Sequence, residues 1–163
     1  MDNNEIKILK TAILNEIEGE KFYQRAGQDT RDQDASQAFL HLAEDERRHQ
    51  GMLRELMTQM SAGGEIRLEK LDLKGVASPK IFAATHMMET DNAMEISVFH
   101  IAIMMEKASI DYYRRAAEQT SVPQARELYT SLADWEVTHL DSMENIYDSL
   151  TADWWDHQSY SPS

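Results

Sequence analysis

The sequence predicts an all-α protein, an antiparallel four-helix bundle made of two repeated helical hairpins joined by a long crossover. Three observations predict it. Apolar residues recur at alternating spacings of three and four along four long segments, one helical stripe in each. Helix breakers are few, 6 Gly and 3 Pro among 163 residues. The two halves of the chain also match without a gap at an offset of 90 residues: Glu46 and His49 return as Glu136 and His139, Glu16 as Glu106, and Tyr23 as Tyr113.

The first helix is expected over about 5–30, with Ile6, Leu9, Ile13, Glu16, Glu20, Tyr23 and Gly27 on one stripe. A short polar link follows, with Asp32 or Asp34 as N-cap of the next helix. That helix, about 33–60, carries Ala35, Phe39, Leu42, Glu46, His49, Leu53, Leu56 and Met60. So short a link makes the two antiparallel neighbours. Ser61-Ala62-Gly63-Gly64 ends the pair, and 65–73 shows no helical stripe, so about 61–80 is expected to cross over in a partly extended form. A short helix over 80–88 is expected before Asp91 or Asn92 caps the third long helix. The third stripe is Ile96, Phe99, Ile103, Glu106, Ile110, Tyr113 and Ala117. Pro123 suits the first turn of the fourth helix, whose stripe is Tyr129, Leu132, Glu136, His139, Met143, Ile146 and Leu150. The bundle thus takes 1–150, as repeats 5–60 and 91–150 around a crossover 61–90, and 151–163 form a C-terminal tail. Ala12/Ala102, Ile13/Ile103, Arg25/Arg115, Thr30/Thr120, Ala35/Ala125 and Leu42/Leu132 agree across the repeat as well.

Composition narrows the function. The formal charge of −13 argues against nucleic acid or an anionic membrane surface as partner. No Cys is present, which excludes disulfides, thiolate zinc and iron–sulfur clusters. No apolar run approaches the ~20 residues of a membrane span. The opening Met-Asp-Asn-Asn has no signal-peptide character, so a cytoplasmic location is expected.

Register carries the chemistry. A single Glu-x-x-His is common on solvated helix faces. Here the repeated Glu and His fall on the apolar stripes of all four helices, so they point into the bundle. Burying one unpaired ion costs several kcal/mol, and four carboxylates at one level would repel one another as well. A domain is stable by only ~5–15 kcal/mol, so the acids must be protonated or neutralised by cations. Two divalent ions would cancel four carboxylates, and two imidazoles would complete the set. Carboxylate with imidazole and no sulfur suits iron, manganese or zinc. The candidate ligands are Glu16, Glu46, His49, Glu106, Glu136 and His139. Glu20 lies one turn beyond Glu16, but its counterpart is Ile110; it is an extra ligand, a supporting acid or a rim acid, and the last two are favoured. Tyr23 and Tyr113 are expected to pack and to hydrogen-bond ligand carboxylates. Met87-Met88 and Met104-Met105 are expected to fill the core, and Trp135, which points off the stripe, to pack against its neighbours. His41, His86, His100 and His157, without repeat partners, are expected to be structural or exposed.

With those residues in place the chain resembles the rubrerythrin-like branch of the ferritin-like superfamily, over about 5–150. The motifs are Glu16, Glu46-x-x-His49, Glu106 and Glu136-x-x-His139, with Tyr seven residues after Glu16 and Glu106. The resemblance implies a ferritin-like bundle holding two Fe ions (Mn or Zn as alternatives). Glu46 and Glu136 would bridge the metals, Glu16 and His49 would end one ion's ligand set, and Glu106 and His139 the other's. It further implies a homodimer and a rubrerythrin-like peroxidase or ferroxidase-type oxidoreductase acting on peroxide or O2. Two features depart from the pattern. The Cys-rich rubredoxin domain is absent, so electrons would come from an external donor. The extra Glu of classical rubrerythrins, three residues after the third-helix ligand, is Ser109, with Gly19 in the matching place. The alternative reading is a protein that binds, stores or senses iron or manganese without turnover.

Overall fold

The computed structural model describes residues 3–30, 33–63, 65–71, 73 and 92–157. Four helices make up the bundle: α1 (Asn3–Asp29), α2 (Gln33–Ala62), α3 (Asn92–Gln119) and α4 (Pro123–His157). A single 3-10 turn, Leu68–Lys70, lies between α2 and α3, and no strand occurs among the described residues. α1 packs along α2 and α3 along α4 as two hairpins, and the hairpins meet where α1 borders α3 and α2 borders α4.

Each hairpin turns in the same way. The amide of Thr30 donates to the carbonyl of Ala26 at 3.1 Å, and that of Thr120 to Ala116 at 3.0 Å, at equivalent repeat positions. Around the second turn Arg126 donates to the carbonyls of Ala117 (3.1 Å) and Thr120 (3.0 Å), satisfying acceptors left open at the end of α3. In the first turn the helices come closer. A Cβ on Gly27 would stand 3.0 Å from the Ser36 carbonyl and from Leu40 Cγ, so any side chain here would have to push the α2 backbone away by a few tenths of an ångström. α2 ends at Gly63, whose φ of +68° is the left-handed conformation glycine adopts at little cost.

The crossover begins partly extended, with Arg67 in the β region; Gln59 and Arg67 exchange hydrogen bonds (2.7 and 3.4 Å), the chain makes its 3-10 turn, and Leu71 is drawn into the core. Three expectations give way to the structure. α4 does not stop at Leu150 but continues to His157. Nothing in Thr151-Ala152-Asp153-Trp154-Trp155 breaks a helix, and the Thr151 hydroxyl donates to the carbonyls of Tyr147 and Asp148 within it. Met104 is not core filling either; it is 58% exposed, because it falls between the inward positions 103 and 106 on the outer face of α3. Asp34 lies in the first turn of α2, inside the helix rather than at its cap. Asp32, the 80–88 helix with Met87-Met88 and His86, and the Asp91 cap lie outside the described residues.

The core forms two apolar layers. One gathers Leu9, Leu53, Leu56, Leu71, Leu128, Leu132 and the rings of Tyr113 and Tyr129. The other gathers Phe39, Leu42, Phe99, Ile103, Met143, Leu150 and Tyr23. Between them lie buried acids and imidazoles.

Candidate metal centre

All six predicted donors meet between the apolar layers, and none is more than 5% exposed. They form two overlapping groups: Glu16, Glu46, His49 and Glu136, and Glu46, Glu106, Glu136 and His139. Within each group the donor atoms lie within 4.8 Å of one another, and Glu46 and Glu136 belong to both. The helical period explains the convergence. Glu46 and His49, like Glu136 and His139, are three residues apart and share a face. The matching Glu16 and Glu106 stand near the middle of α1 and α3.

The contacts follow the repeat. His49 Nδ1 lies 3.1 Å from Glu16 Oε2 and 3.3 Å from Glu136 Oε1, while His139 Nδ1 lies 3.0 Å from Glu136 Oε2. Tyr23 on α1 donates its hydroxyl to Glu106 on α3, and Tyr113 on α3 donates to Glu16 on α1. Each tyrosine thus holds the outer carboxylate of the opposite hairpin.

These groups cannot all take their usual charges. Burial pushes Glu46 well above the ordinary carboxylate range, and the neighbouring Glu16 and Glu136 push it further. Burial and Glu136 do the same to Glu106. Burial also raises Glu136, but hydrogen bonds from His139 and His49 outweigh it and hold that carboxyl well below the usual range. Burial disfavours the charged form of His49, yet Glu16 and Glu136 raise it to about 10. His139 is likewise raised well above its usual value against burial, chiefly by Asp45 and Glu136. Burial first, and the nearest Glu next, keep the Tyr23 and Tyr113 hydroxyls protonated. Without cations, then, protons occupy the cluster.

The residues fit a metal pair. Glu136 Oε1 is buried, has His49 Nδ1 3.3 Å away in poor hydrogen-bond geometry, and faces the other donors. Among the described residues no Lys or Arg forms a salt bridge with any of the four acids. The backbone also leaves room for Glu46: a Cβ on Gly19 would come within 3.1 Å of its Cδ. Position 19, where an extra Glu has its counterpart in the first half, is therefore filled by the Glu46 side chain.

Glu20 stands apart from both groups. It accepts hydrogen bonds from Gln50 at 2.8 Å and Gln24 at 2.9 Å, and the Gln50 amide holds it below the ordinary range. The equivalents of Glu20 and Gln50 are Ile110 and Leu140, so one polar pair stands in the place of an apolar one. His41 and His100 are exposed, and the His100 ring contacts Tyr147.

Two neighbours were not foreseen in these roles. Asp45, only 5% exposed, places Oδ2 3.6 Å from His139 Nε2, on the far side of the ring from the acids. Trp135, half-buried, lies flat on His49 with centroids 5.3 Å apart and planes 8° from parallel. Asp45 and Trp135 occupy the same place in the two repeats, immediately before the repeated Glu. That shared place was the available signal.

Comparison with known proteins agrees with this geometry. The rubrerythrin family model matches residues 7–147. A solved structure of a hypothetical protein from Pyrococcus furiosus shares the fold at TM-score 0.69 and 23% identity, covering 90% of this chain and 89% of that one. No curated protein matches the sequence significantly. Among the described residues no helix is long and apolar enough to cross a membrane. With a four-helix bundle, a buried Glu/His cluster at its middle and a family match across nearly the whole chain, the protein belongs to the rubrerythrin family of di-iron carboxylate proteins.

Proposed function

We propose that the cluster holds two iron ions and reduces peroxide or dioxygen with electrons from an external donor. The observation that carries this reading is the pair of overlapping donor groups sharing Glu46 and Glu136. Glu46 and Glu136 would bridge the ions, with Glu16 and His49 completing one site and Glu106 and His139 the other. Bound iron(II) supplies the electrons that reduce the oxidant.

The chain's own residues do the rest. Asp45 faces the outer nitrogen of His139, so it fixes the ring's orientation and keeps Nδ1 turned inward. Tyr23 and Tyr113 keep a proton on the hydroxyls that touch Glu106 and Glu16, the acids that would hold the metals from the outer side. The two apolar layers keep bulk water from the carboxylates, which sharpens every charge interaction between them.

The test is anaerobic loading with iron(II), followed by peroxide or O2, with and without an external reductant. The proposal expects oxidation faster than that of free iron(II), and repeated turnover when reductant is present. A single stoichiometric oxidation with no cycling would support iron binding or storage instead. A Glu46→Ala variant that reacts as fast as the unaltered protein would show that the reaction occurs elsewhere.

A further inference from the structure

The repeat is broken at one pair of aromatic positions. Tyr23 stacks on Phe39 in one half, with centroids 6.3 Å apart and planes 16° from parallel. In the other half Tyr113 stacks on Tyr129, at 6.4 Å and 23°. Phe39 and Tyr129 are equivalent, so the second half has gained a hydroxyl in the same stack. That hydroxyl is fully buried and donates to Glu5 Oε1 at 2.7 Å.

Glu5 is a buried acid at the start of α1, one of the buried acids outside the donor cluster. Its other oxygen accepts from Thr120 Oγ1 at 2.6 Å. Thr120 Oγ1 itself accepts from the Val122 amide at 3.1 Å, which leaves its hydrogen to point at Glu5. Both Glu5 oxygens therefore accept hydrogen bonds. In the first half the Thr30 hydroxyl donates to Glu95, the equivalent of Glu5, at 3.4 Å, and the position matching Tyr129 is Phe39, which carries no hydroxyl.

We propose that Tyr129 is a one-electron donor to the metal centre, connected to it through Tyr113 and Glu16, with Glu5 as the acceptor of its phenolic proton. Tyr113 hydrogen-bonds Glu16 and lies 6.4 Å from Tyr129, centroid to centroid, so a single ring separates Tyr129 from the ligand and the electron passes it without oxidising Tyr113. Burial, and then Glu5, push the Tyr129 hydroxyl well up, so Tyr129 does not ionise by itself and parts with its proton only as it loses an electron.

The inference rests on the proposed reaction with dioxygen. Reduction of O2 to two waters takes four electrons and four protons. Two iron(II) ions supply two electrons, and the external one-electron reductant supplies the others. When the reductant supplies only one electron, Tyr129 supplies the fourth: it is oxidised to the neutral phenoxyl, and its proton passes to Glu5, which becomes a carboxylic acid. An oxidising equivalent is thereby moved away from the ligands and held in the dry layer of the core. A later electron from the reductant, with the proton returned by Glu5, restores the pair.

The experiment is rapid-freeze electron paramagnetic resonance on the full chain, loaded with iron(II) and mixed with O2 and one equivalent of one-electron reductant per iron pair, with iron oxidation followed optically in the same mixture. A tyrosyl signal is expected, narrowed by ring-deuterated tyrosine. It should fall at least tenfold in Tyr129→Phe and several-fold in Glu5→Gln, and persist in Tyr147→Phe. Glu5→Gln keeps the Tyr129 ring in place, so it tests the assignment even if Tyr129→Phe loads iron poorly. A signal unchanged in both variants, or iron oxidation with no tyrosyl signal, overturns this inference and leaves the proposed function standing. Failure of O2 to oxidise the bound iron overturns both.

Discussion

Asp45 faces His139 across 3.6 Å on the side of the imidazole turned away from the acid cluster. Arg48 holds the other Asp45 oxygen at 3.3 Å, so the carboxylate is itself positioned. The equivalent residue of the second repeat, Trp135, meets His49 by its ring face instead. One imidazole is thus oriented by a charge and the other by a stack worth about 1 kcal/mol. Removing a carboxylate behind a ligating His typically costs 10–100-fold in metal affinity. Asp45→Asn should therefore weaken metal binding about 10–100-fold, measured by chelator competition, with the larger loss at the site that includes His139. Unchanged affinity would show that Asp45 has no part in orienting the ring.

Gly19 separates the needs of the helix from those of the site. Gly→Ala inside a helix is worth up to about 1 kcal/mol of helix stability, but the new Cβ would stand 3.1 Å from Glu46 Cδ. In the metal-free protein Glu46 can yield by a few tenths of an ångström. Held by metal it cannot. Gly19→Ala should leave the metal-free melting temperature equal or higher and lower metal affinity at least several-fold. Calorimetry of both forms checks this, and an equal gain in both would contradict it.

Glu20 and Gln50 behave as a pair. Glu20→Ile alone leaves the buried Gln50 side chain without its best acceptor, at a cost of about 1–3 kcal/mol. Adding Gln50→Leu reproduces the Ile110–Leu140 pair of the other half. The double variant should recover most of the lost stability and still bind two metals. A double variant that cannot load metal would make Glu20 a ligand after all.

The metal-free protein should lose stability as pH rises. His49 ordinarily titrates near 6.5 and is raised to about 10 in the fold. A group raised on folding contributes fully below its unfolded value, and that contribution fades as pH climbs through the folded one. The raised His139, Glu46 and Glu106 act in the same direction, while the lowered Glu136 acts oppositely and only in acid. Between about pH 6.5 and 10 the metal-free melting temperature should fall by several degrees, at about 2–4 °C per kcal/mol for a domain of this size. Metal takes the place of those protons, so the loaded protein should show a flatter profile, and binding should release protons. A metal-free profile that is flat over this window would mean that the imidazoles are neutral.

The four helices and six donors were legible in the sequence because both depend on period alone. Glu46, His49, Glu136 and His139 lie in line with Leu42, Leu53, Leu132 and Met143, and residues on a buried stripe face inward whatever the neighbouring helix does. Asp45 and Trp135 lie one residue off that stripe. Whether they reach solvent or a neighbour depends on how the hairpins are rotated against each other, which periodicity does not carry. Beside Arg47 and Arg48, Asp45 resembles an ordinary surface charge. Met104 was misread for the opposite reason: its hydrophobicity suggested the core although its register points out. The α4 extension was hidden because the Ser and Pro near the C-terminus drew the boundary too early, and the crossover turn because Leu71 is buried by a contact distant in sequence.

The central claim is that Glu16, Glu46, His49, Glu106, Glu136 and His139 hold two metal ions between the apolar layers. It is tested most directly by a crystal structure of iron-loaded protein with anomalous data at the iron and manganese edges. The account predicts two anomalous peaks within the cluster, one per donor group, with Glu46 and Glu136 contacting both. A fully loaded crystal with a single peak or none there, or with any of the six side chains turned out to solvent, would contradict it.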